Sequence, residues 1–142
     1  MRLRRALYRA GLFGSMKAPA PVISVGNVTV GGTGKTPMVA WVVKRLQEMG
    51  LSPTILTRGY KSVKGKSDEA ELLWQLTQAP VVVNPDRVAG AFSAAGAGAD
   101  AIVLDDGFQH RRLGRDLDIV LIDATCPFGF EHVLPRGLLR EP

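Results

Sequence analysis

Residues 29–36 read Thr29-Val30-Gly31-Gly32-Thr33-Gly34-Lys35-Thr36, between an apolar run at Val22–Val25 and a helical pattern that begins at Lys35. Phosphate oxygens need several converging donors, and glycines let backbone N–H groups turn inward with no Cβ in the way. The helix that follows adds its N-terminal N–H groups and its dipole. This stretch therefore predicts a phosphate-binding loop whose eight residues contact a nucleotide. Lys35 is predicted to contact the β- and γ-phosphates, and the Thr36 hydroxyl to ligate Mg²⁺.

Apolar runs and helical patterns alternate along the rest of the chain. Runs typical of strands lie at Val22–Val25, Pro53–Thr57, Val81–Val83, Ala101–Leu104 and Ile119–Ile122, and helical patterns at Lys35–Met49, Glu69–Thr77 and Asp86–Ala97. In the first helix Met38, Trp41, Val42, Leu46 and Met49 fall on one face, and Gly50 marks the end. Continuous apolar runs separated by helices are typical of a buried parallel sheet. We therefore predict an α/β fold: a three-layer P-loop NTPase-like domain with a mostly parallel sheet, preceded by a short basic amphipathic helix.

Composition narrows the class of protein. The chain has 142 residues, of which 46% are hydrophobic, enough for one domain with one core. No run reaches the 18 or so apolar residues of a membrane-spanning helix, and the blocks of apolar residues exclude disorder. Cys126 is the single cysteine, which excludes a disulfide framework and a cysteine-based zinc site.

The formal net charge of +5 comes from the N-terminal segment alone. The unopposed basic residues there are Arg2, Arg4, Arg5, Arg9 and Lys17, and the charges balance from residue 18 onward. Because the excess is local, it does not predict a nucleic-acid partner. We divide the chain into a basic segment, 1–18, and a phosphate-loop domain, 19–142. The helical spacing of residues 2–13 fits equally an amphipathic helix on an anionic membrane surface and a solvated helix packed on the domain.

Two acidic residues follow the fourth strand-like run. Asp105 and Asp106 come directly after Ala101–Leu104, and open parallel sheets bind ligands at the carboxyl ends of their strands. The carboxylate that helps to hold Mg²⁺ in P-loop proteins comes from such a strand. Two acids after a strand also fit a solvated turn, but beside a phosphate loop they favour a metal site.

Several motifs together resemble a known family. They are Ser24-Val25-Gly26-Asn27, the loop with Lys35-Thr36-Pro37, Thr57-Arg58-Gly59-Tyr60, Asp105-Asp106-Gly107-Phe108-Gln109-His110-Arg111-Arg112-Leu113 and Leu139-Arg140-Glu141-Pro142. In this order they resemble the tetraacyldisaccharide 4′-kinases, the lipid A 4′-kinases of Gram-negative bacteria. The resemblance runs from about Arg5 to the last residue.

The resemblance implies an ATP- and Mg²⁺-dependent lipid kinase. Such an enzyme transfers the γ-phosphate of ATP to the 4′-hydroxyl of a tetra-acylated disaccharide 1-phosphate, as a peripheral protein at the cytoplasmic face of the inner membrane. The acceptor is itself a lipid, which favours the membrane-surface interpretation of residues 2–13.

The resemblance also implies roles for individual residues. Asp68 is expected to supply the catalytic carboxylate, with Glu69 close to the metal. Arg140 is expected to stabilise transferred charge, and Glu141 to assist the metal. Gln109 and His110 are weaker candidates in the turn after Asp106. Asp68 and Glu69 also fit a plain helix N-terminus, where acids interact favourably with the dipole, and a lone histidine also fits a structural role.

The length raises a further expectation, because members of this family are roughly twice as long and carry a second α/β domain. We expect this chain to be the N-terminal portion of such a kinase, with nucleotide-binding chemistry retained. Two alternatives stay open from the residues: another P-loop NTPase or small-molecule kinase, and a nucleotide-binding module without catalysis.

Overall fold

The chain forms eight regular elements in a computed structural model that describes residues 14–29, 34–59, 68–128, 130, 132–133 and 136–140. The strands are β1 (Val22–Asn27), β2 (Pro53–Thr57), β3 (Val81–Val83), β4 (Ala101–Asp105) and β5 (Leu117–Leu121). The helices are α1 (Lys35–Glu48), α2 (Asp68–Thr77) and α3 (Arg87–Gly96). The predicted α/β alternation is confirmed. The predicted basic helix at residues 2–13 lies outside the described residues.

The five strands form one parallel sheet in the order β3-β2-β4-β1-β5. Val25 of β1 pairs with Asp105 of β4, so that the carboxyl ends of these two strands lie side by side. Parallel strands cannot be joined by a tight hairpin, so the chain returns over a face of the sheet before each new strand begins. This order places the loop after β1 and the acids after β4 at one edge.

The sheet separates two hydrophobic cores, and successive residues of each central strand serve opposite cores. In β4, Ile102 and Leu104 pack with α3, whereas Val103 packs with α1 and α2. The same alternation holds in β2, where Leu56 faces α3 and Ile55 faces the other helices. This arrangement is the three-layer architecture that the sequence predicts.

Helix α1 ends as predicted, at a left-handed glycine. Gly50 has φ +80°, and its N–H donates to the carbonyl of Gln47 at 2.9 Å while Leu51 N donates to Leu46 O at 3.1 Å. These paired bonds form the Schellman ending, in which glycine is favoured because it lacks a Cβ. The helix begins at Lys35 after Gly34, another left-handed residue.

The face of α1 that the spacing marked is only partly the buried one: Val42 is buried, and Met38 and Leu46 pack partly buried against the core. The buried residues are Val39, Ala40, Val42 and Val43, whereas Trp41 is 56% exposed and Met49 is 74% exposed. The run from Val39 to Val43 is apolar all around the helix, so its periodicity allows two orientations. The small side chains pack on the sheet, and Trp41 lies outside with the Arg45 guanidinium 5.6 Å from its ring centroid.

The turn after β4 packs closely against β1 at Gly26. A Cβ built on Gly26 meets the Cβ of Phe108 at 2.5 Å and the backbone N of Phe108 at 3.0 Å. Backbone atoms cannot move aside as a flexible side chain can. This glycine therefore allows the turn that carries the acidic residues to lie directly on the strand that leads to the phosphate loop.

We expect Gly26→Ala to lower the free energy of unfolding by about 1–3 kcal/mol, the usual range for overpacking. Chemical denaturation measures this change. The control is Gly96→Ala, because a Cβ at this helical position meets nothing within 4 Å and alanine favours a helix over glycine. Equal stability of Gly26→Ala and wild type would contradict the close contact with Phe108.

Candidate active site at the carboxyl edge of the sheet

Lys35 is the first residue of α1 and points back over the end of β1. Its Nζ donates a hydrogen bond to Asn27 Oδ1 at 3.3 Å and lies 3.8 Å from Asp106 Oδ1. The side chain is only 16% exposed. The lysine of the predicted phosphate loop and an acid of the predicted metal site are therefore brought together.

The other predicted loop residues are described in part. Thr29 is buried and pairs with Leu139 in an isolated antiparallel bridge. Thr36 is half-buried in the first turn of α1. Gly34 has φ +77°, with nothing within 4 Å of a built Cβ. Val30, Gly31, Gly32 and Thr33 lie outside the described residues, so their contacts with a nucleotide stay a prediction.

Asp106 is held by Arg140, although the two residues are far apart in the sequence. Arg140 Nη1 lies 2.9 Å from both Asp106 Oδ1 and Oδ2. The backbone N–H of Arg140 donates to Val28 O at 2.9 Å, next to the bridge between Thr29 and Leu139. We call residues 139–140 the C-terminal strap, since they lie along residues 28–29 and carry the guanidinium to the acidic pair.

Gln109 links the strap to β1. Its Nε2 donates to Asn27 O at 2.8 Å, and its Oε1 accepts a long hydrogen bond, 3.5 Å, from Arg140 Nη1. His110 lies beside this network, and burial and the charges of Arg87 and Arg112 lower its pKa. His110 is therefore a neutral imidazole at pH 7, which fits the structural interpretation better than a cationic role.

Asp105 is a buried carboxylate at the end of β4. It is 2% exposed, and its Oδ1 has no hydrogen-bond partner among the described residues. Burial raises its pKa to about 6, and the negative charges of Glu69 and Asp106 add to the effect. Perturbed carboxylates of this kind are concentrated at functional sites.

Glu69 and Asp68 occupy different positions relative to this carboxylate. Both lie in the first turn of α2, but it is the charge of Glu69 that acts on Asp105 and on Arg87. Asp68 is exposed at the first residue of the helix. Glu69 is therefore near enough to the acidic pair to affect the pKa of Asp105, and the catalytic role of Asp68 stays a prediction.

Magnesium fits this donor set. No three His, Cys, Asp or Glu side chains cluster as a metal site in the part of the chain that is described, but Mg²⁺ in phosphate sites is usually held by one or two carboxylates together with phosphate oxygens and water. The unpartnered oxygen of Asp105 suits such a ligand. Glu141 lies outside the described residues.

Two arginines for which the sequence predicts no role support the acidic turn. Arg87 begins α3, is buried, and donates from Nη2 to the carbonyl of Asp105 at 3.0 Å. Arg115 Nη1 donates to the carbonyls of Phe108, at 2.6 Å, and Gly107, at 3.2 Å. Arg87 belongs to no spacing pattern, whereas Arg115 begins Arg115-Asp116-Leu117-Asp118, a further motif of the family resemblance that predicts no role for it. The one signal for Arg87 was its place directly after Asp86, the residue that caps α3.

The raised pKa of Asp105 predicts a stability effect that depends on pH. The folded state holds this proton more tightly than the unfolded chain, whose aspartates titrate near pH 3.9. Above about pH 6, burial of the ionised Asp105 therefore lowers the free energy of unfolding, by about 3 kcal/mol at most. This destabilisation disappears as the pH falls from about 6 to about 4.

Asp105→Asn is accordingly expected to melt at a higher temperature than wild type at pH 8, with the difference shrinking at pH 5. Melting curves with EDTA at both pH values measure this. Glu71→Gln, at an exposed position of α2, is the control and should show no such pattern. An Asp105→Asn protein that is less stable than wild type at pH 8 would contradict the prediction.

Comparisons with known proteins agree with this geometry. The family model for tetraacyldisaccharide-1-P 4′-kinases matches residues 1–142. Tetraacyldisaccharide 4′-kinases from Halorhodospira halophila and Alkalilimnicola ehrlichii are 46% and 47% identical over 99% and 100% of the chain, which covers 47% of each relative. The chain thus spans about half the length of these curated relatives.

A solved structure matches as well. The crystal structure of LpxK from Aquifex aeolicus in complex with ATP superposes with a TM-score of 0.87 at 35% sequence identity, over 99% of this chain and 50% of that one. The P-loop NTPase-like fold that the sequence predicts is confirmed by this match and by the parallel sheet. On the family model and these relatives together, the chain belongs to the tetraacyldisaccharide-1-P 4′-kinase family.

Proposed function

We propose that this chain is the nucleotide-binding half of an ATP-dependent kinase that phosphorylates the 4′-hydroxyl of a tetra-acylated disaccharide 1-phosphate in lipid A biosynthesis. The observation that carries the proposal is the meeting of Lys35 and Arg140 on the Asp106 carboxylate, at 3.8 Å and 2.9 Å, in a chain of this family. Two cations and a carboxylate beside a phosphate loop match what transfer of a γ-phosphate requires.

The two cations have separate tasks. Lys35, at the start of α1, neutralises the β- and γ-phosphates from the side of the phosphate loop. Arg140 approaches from the strap, and its planar fork suits phosphate oxygens as well as the carboxylate that it contacts in this structure. Both act on charge that spreads over the transferred group in the transition state.

The carboxylates are proposed to hold Mg²⁺. Asp105 and Asp106 provide the principal ligands, with the Thr36 hydroxyl on the side of the phosphate loop and Glu69 and Glu141 as further acids. When bound, Mg²⁺ would supply charge neutralisation for the phosphate group that is transferred.

The acceptor hydroxyl must lose a proton as it attacks. In the proposed reaction the 4′-oxygen forms a bond to the γ-phosphorus, the bond from that phosphorus to the β–γ bridging oxygen breaks, and ADP leaves with that oxygen. Asp68 accepts the hydroxyl proton. A carboxylate is a suitable base for this step because it needs only to orient the hydroxyl and take its proton late.

Residues 1–18 are proposed to lie on the membrane that contains the acceptor. Four arginines at positions 2, 4, 5 and 9, with no acidic residue between them in the sequence, favour an anionic surface such as the cytoplasmic face of the inner membrane, whereas Lys17 pairs with Asp116 at 3.7 Å. Among the described residues, no helix combines the length and apolar character that crossing a membrane requires. The proposed partners of the chain are the lipid acceptor and the anionic membrane surface, with ATP as the phosphate donor.

The experiment is transfer of ³²P from the γ-position of ATP to the tetra-acylated disaccharide 1-phosphate. It compares this chain with the same chain extended by the half that its relatives carry. Transfer by the extended protein, in the presence of Mg²⁺, supports the proposal. ATP hydrolysis without labelled lipid indicates another P-loop NTPase, and ATP binding by both proteins without either reaction indicates a nucleotide-binding module.

A further inference from the structure

Arg87 is the feature that the proposed reaction does not use. It is 4% exposed, and it and Asp105 are the two charged side chains that the described part of the chain buries. Its Nη1 has no hydrogen-bond partner among the described residues. A buried guanidinium is costly unless it is paired and hydrogen-bonded, so its contacts define its role.

The contact that Arg87 makes is to the peptide that joins the two acids. Nη2 donates to the carbonyl oxygen of Asp105 at 3.0 Å. Asp106, on the other side of this peptide, has φ +52°, a left-handed conformation that a residue with a side chain adopts at a cost. The hydrogen bond therefore holds the strained turn that directs the Asp106 carboxylate toward Lys35 and Arg140.

The backbone around Arg87 is itself well fixed. Asp86 caps α3 by accepting hydrogen bonds from the N–H groups of Val88 and Ala89, at 3.0 Å and 3.2 Å. On the same buried face of α3, one turn further along, Gly90 lies so close to Leu56 that a built Cβ meets its Cδ1 at 2.6 Å. Arg87 thus extends from a rigid helix start to a turn that needs support.

We propose that Arg87 is a positioning residue: its guanidinium fixes the Asp105–Asp106 peptide and thereby sets both carboxylates for a Mg²⁺–nucleotide complex. This inference rests on the proposed function, since it assumes that the two acids bind Mg²⁺. Arg87 acts through the peptide and not through direct contact with the nucleotide.

Charge and geometry predict opposite effects for removal of this side chain. A positive charge near a metal site repels the metal, so loss of the charge alone would strengthen Mg²⁺ binding. Loss of the hydrogen bond frees the turn and leaves the carboxylates misplaced, which weakens Mg²⁺ binding. Residues that orient metal ligands typically change metal affinity by about 10–100-fold when they are replaced.

The test measures ATP affinity of the 142-residue chain by calorimetric titration, once with Mg²⁺ and once with EDTA. The ratio of the two affinities is the gain from Mg²⁺. Arg87→Met and Arg87→Lys are both expected to reduce this gain by about tenfold or more, with little change in the affinity measured in EDTA. Lysine fails as well because its stem is shorter, so its ammonium does not reach the place from which Nη2 donates to the carbonyl of Asp105.

Asp86→Ala is the matched control, because it weakens the start of the same helix without removing the contact to Asp105. It should lower the melting temperature and leave the gain from Mg²⁺ unchanged. A melting curve in EDTA shows whether Arg87→Met folds. If it does not fold, the inference is tested with Arg87→Lys alone.

Each possible result of the titrations bears on the role of Arg87. An undiminished or larger gain in the Arg87 variants overturns the inference while the proposed function stands. A normal gain in Arg87→Lys with a reduced gain in Arg87→Met indicates a role for the charge and also overturns the inference. Equal losses of ATP affinity with Mg²⁺ and with EDTA indicate direct contact with the nucleotide or general damage, and they overturn the inference as well. If wild type itself gains nothing from Mg²⁺, the proposed metal site fails and the inference fails with it.

Discussion

Lys35→Ala is expected to abolish the rise in melting temperature that ATP and Mg²⁺ give this chain. Nucleotide at about 100 times its Kd stabilises a folded protein by about 2.7 kcal/mol, which for a domain of this size is a shift of several degrees. The Lys35 ammonium lies over the carboxyl end of β1, 3.3 Å from Asn27 Oδ1 and 3.8 Å from Asp106 Oδ1. No neighbouring cation on α1 can replace it, because Lys44 and Arg45 lie on exposed parts of that helix.

The control for this prediction is Lys44→Ala, which removes the same charge from the same helix at an exposed position. It should show the full shift. The measurement is a melting curve with and without ATP and Mg²⁺ for wild type and both variants. A shift in Lys35→Ala as large as that of wild type would refute the phosphate-loop assignment.

Arg140→Ala is expected to lower the rate of phosphate transfer to the lipid by about 10³-fold, the lower end of the range for arginines that stabilise this transition state. Arg140 is the side chain that reaches the acidic pair from the C-terminal strap, with Nη1 at 2.9 Å from both Asp106 oxygens. ATP affinity should change much less than the rate, since the charge that Arg140 meets develops during transfer.

The rate is measured with the extended protein and labelled ATP. Arg140→Lys should recover part of the rate, because it keeps the charge but loses the planar fork. Arg136→Ala, an exposed neighbour, should retain the wild-type rate. If Arg140→Ala loses ATP affinity and transfer rate in equal measure, then Arg140 binds the nucleotide and does not act on the transition state.

The local pattern of the chain was sufficient to predict most of the fold. Glycines, prolines and apolar runs mark where elements begin and end, so β2 and β3 have the predicted bounds and Asp86 caps the third helix as its chemistry favours. The order of strands in the sheet was not predicted, because it depends on pairing between distant segments that leave no periodic trace.

The orientation of α1 shows a second limit. Two apolar faces of α1 overlap around Val42. One includes the large residues Trp41 and Met49, the other the smaller Val39 and Val43, and sequence spacing does not tell which face is buried. The close approach of a helix to a sheet favours the small residues, a preference that arises from packing density and not from periodicity.

The site divides in the same way. Motif residues such as Lys35 and Asp106 could be found because each follows an element boundary, and they do lie together. Arg87 could not be found, since its role depends on a carbonyl of another strand. A hydrogen bond from a side chain to a distant backbone atom places no requirement on neighbouring residues, and it therefore leaves no motif.

The C-terminal strap also has a consequence for the order of folding. It joins Arg140 to Val28, which lie far apart in the sequence, and closing so large a loop removes more chain entropy than pairing nearer segments. Contacts of this kind tend to form after local ones. We expect the helices to form first and the proposed nucleotide site last, so that in pulsed hydrogen exchange the Arg140 amide becomes protected after that of Ala97, which donates to the nearby Ser93 O at the end of α3. Simultaneous protection of the two amides would argue against this order.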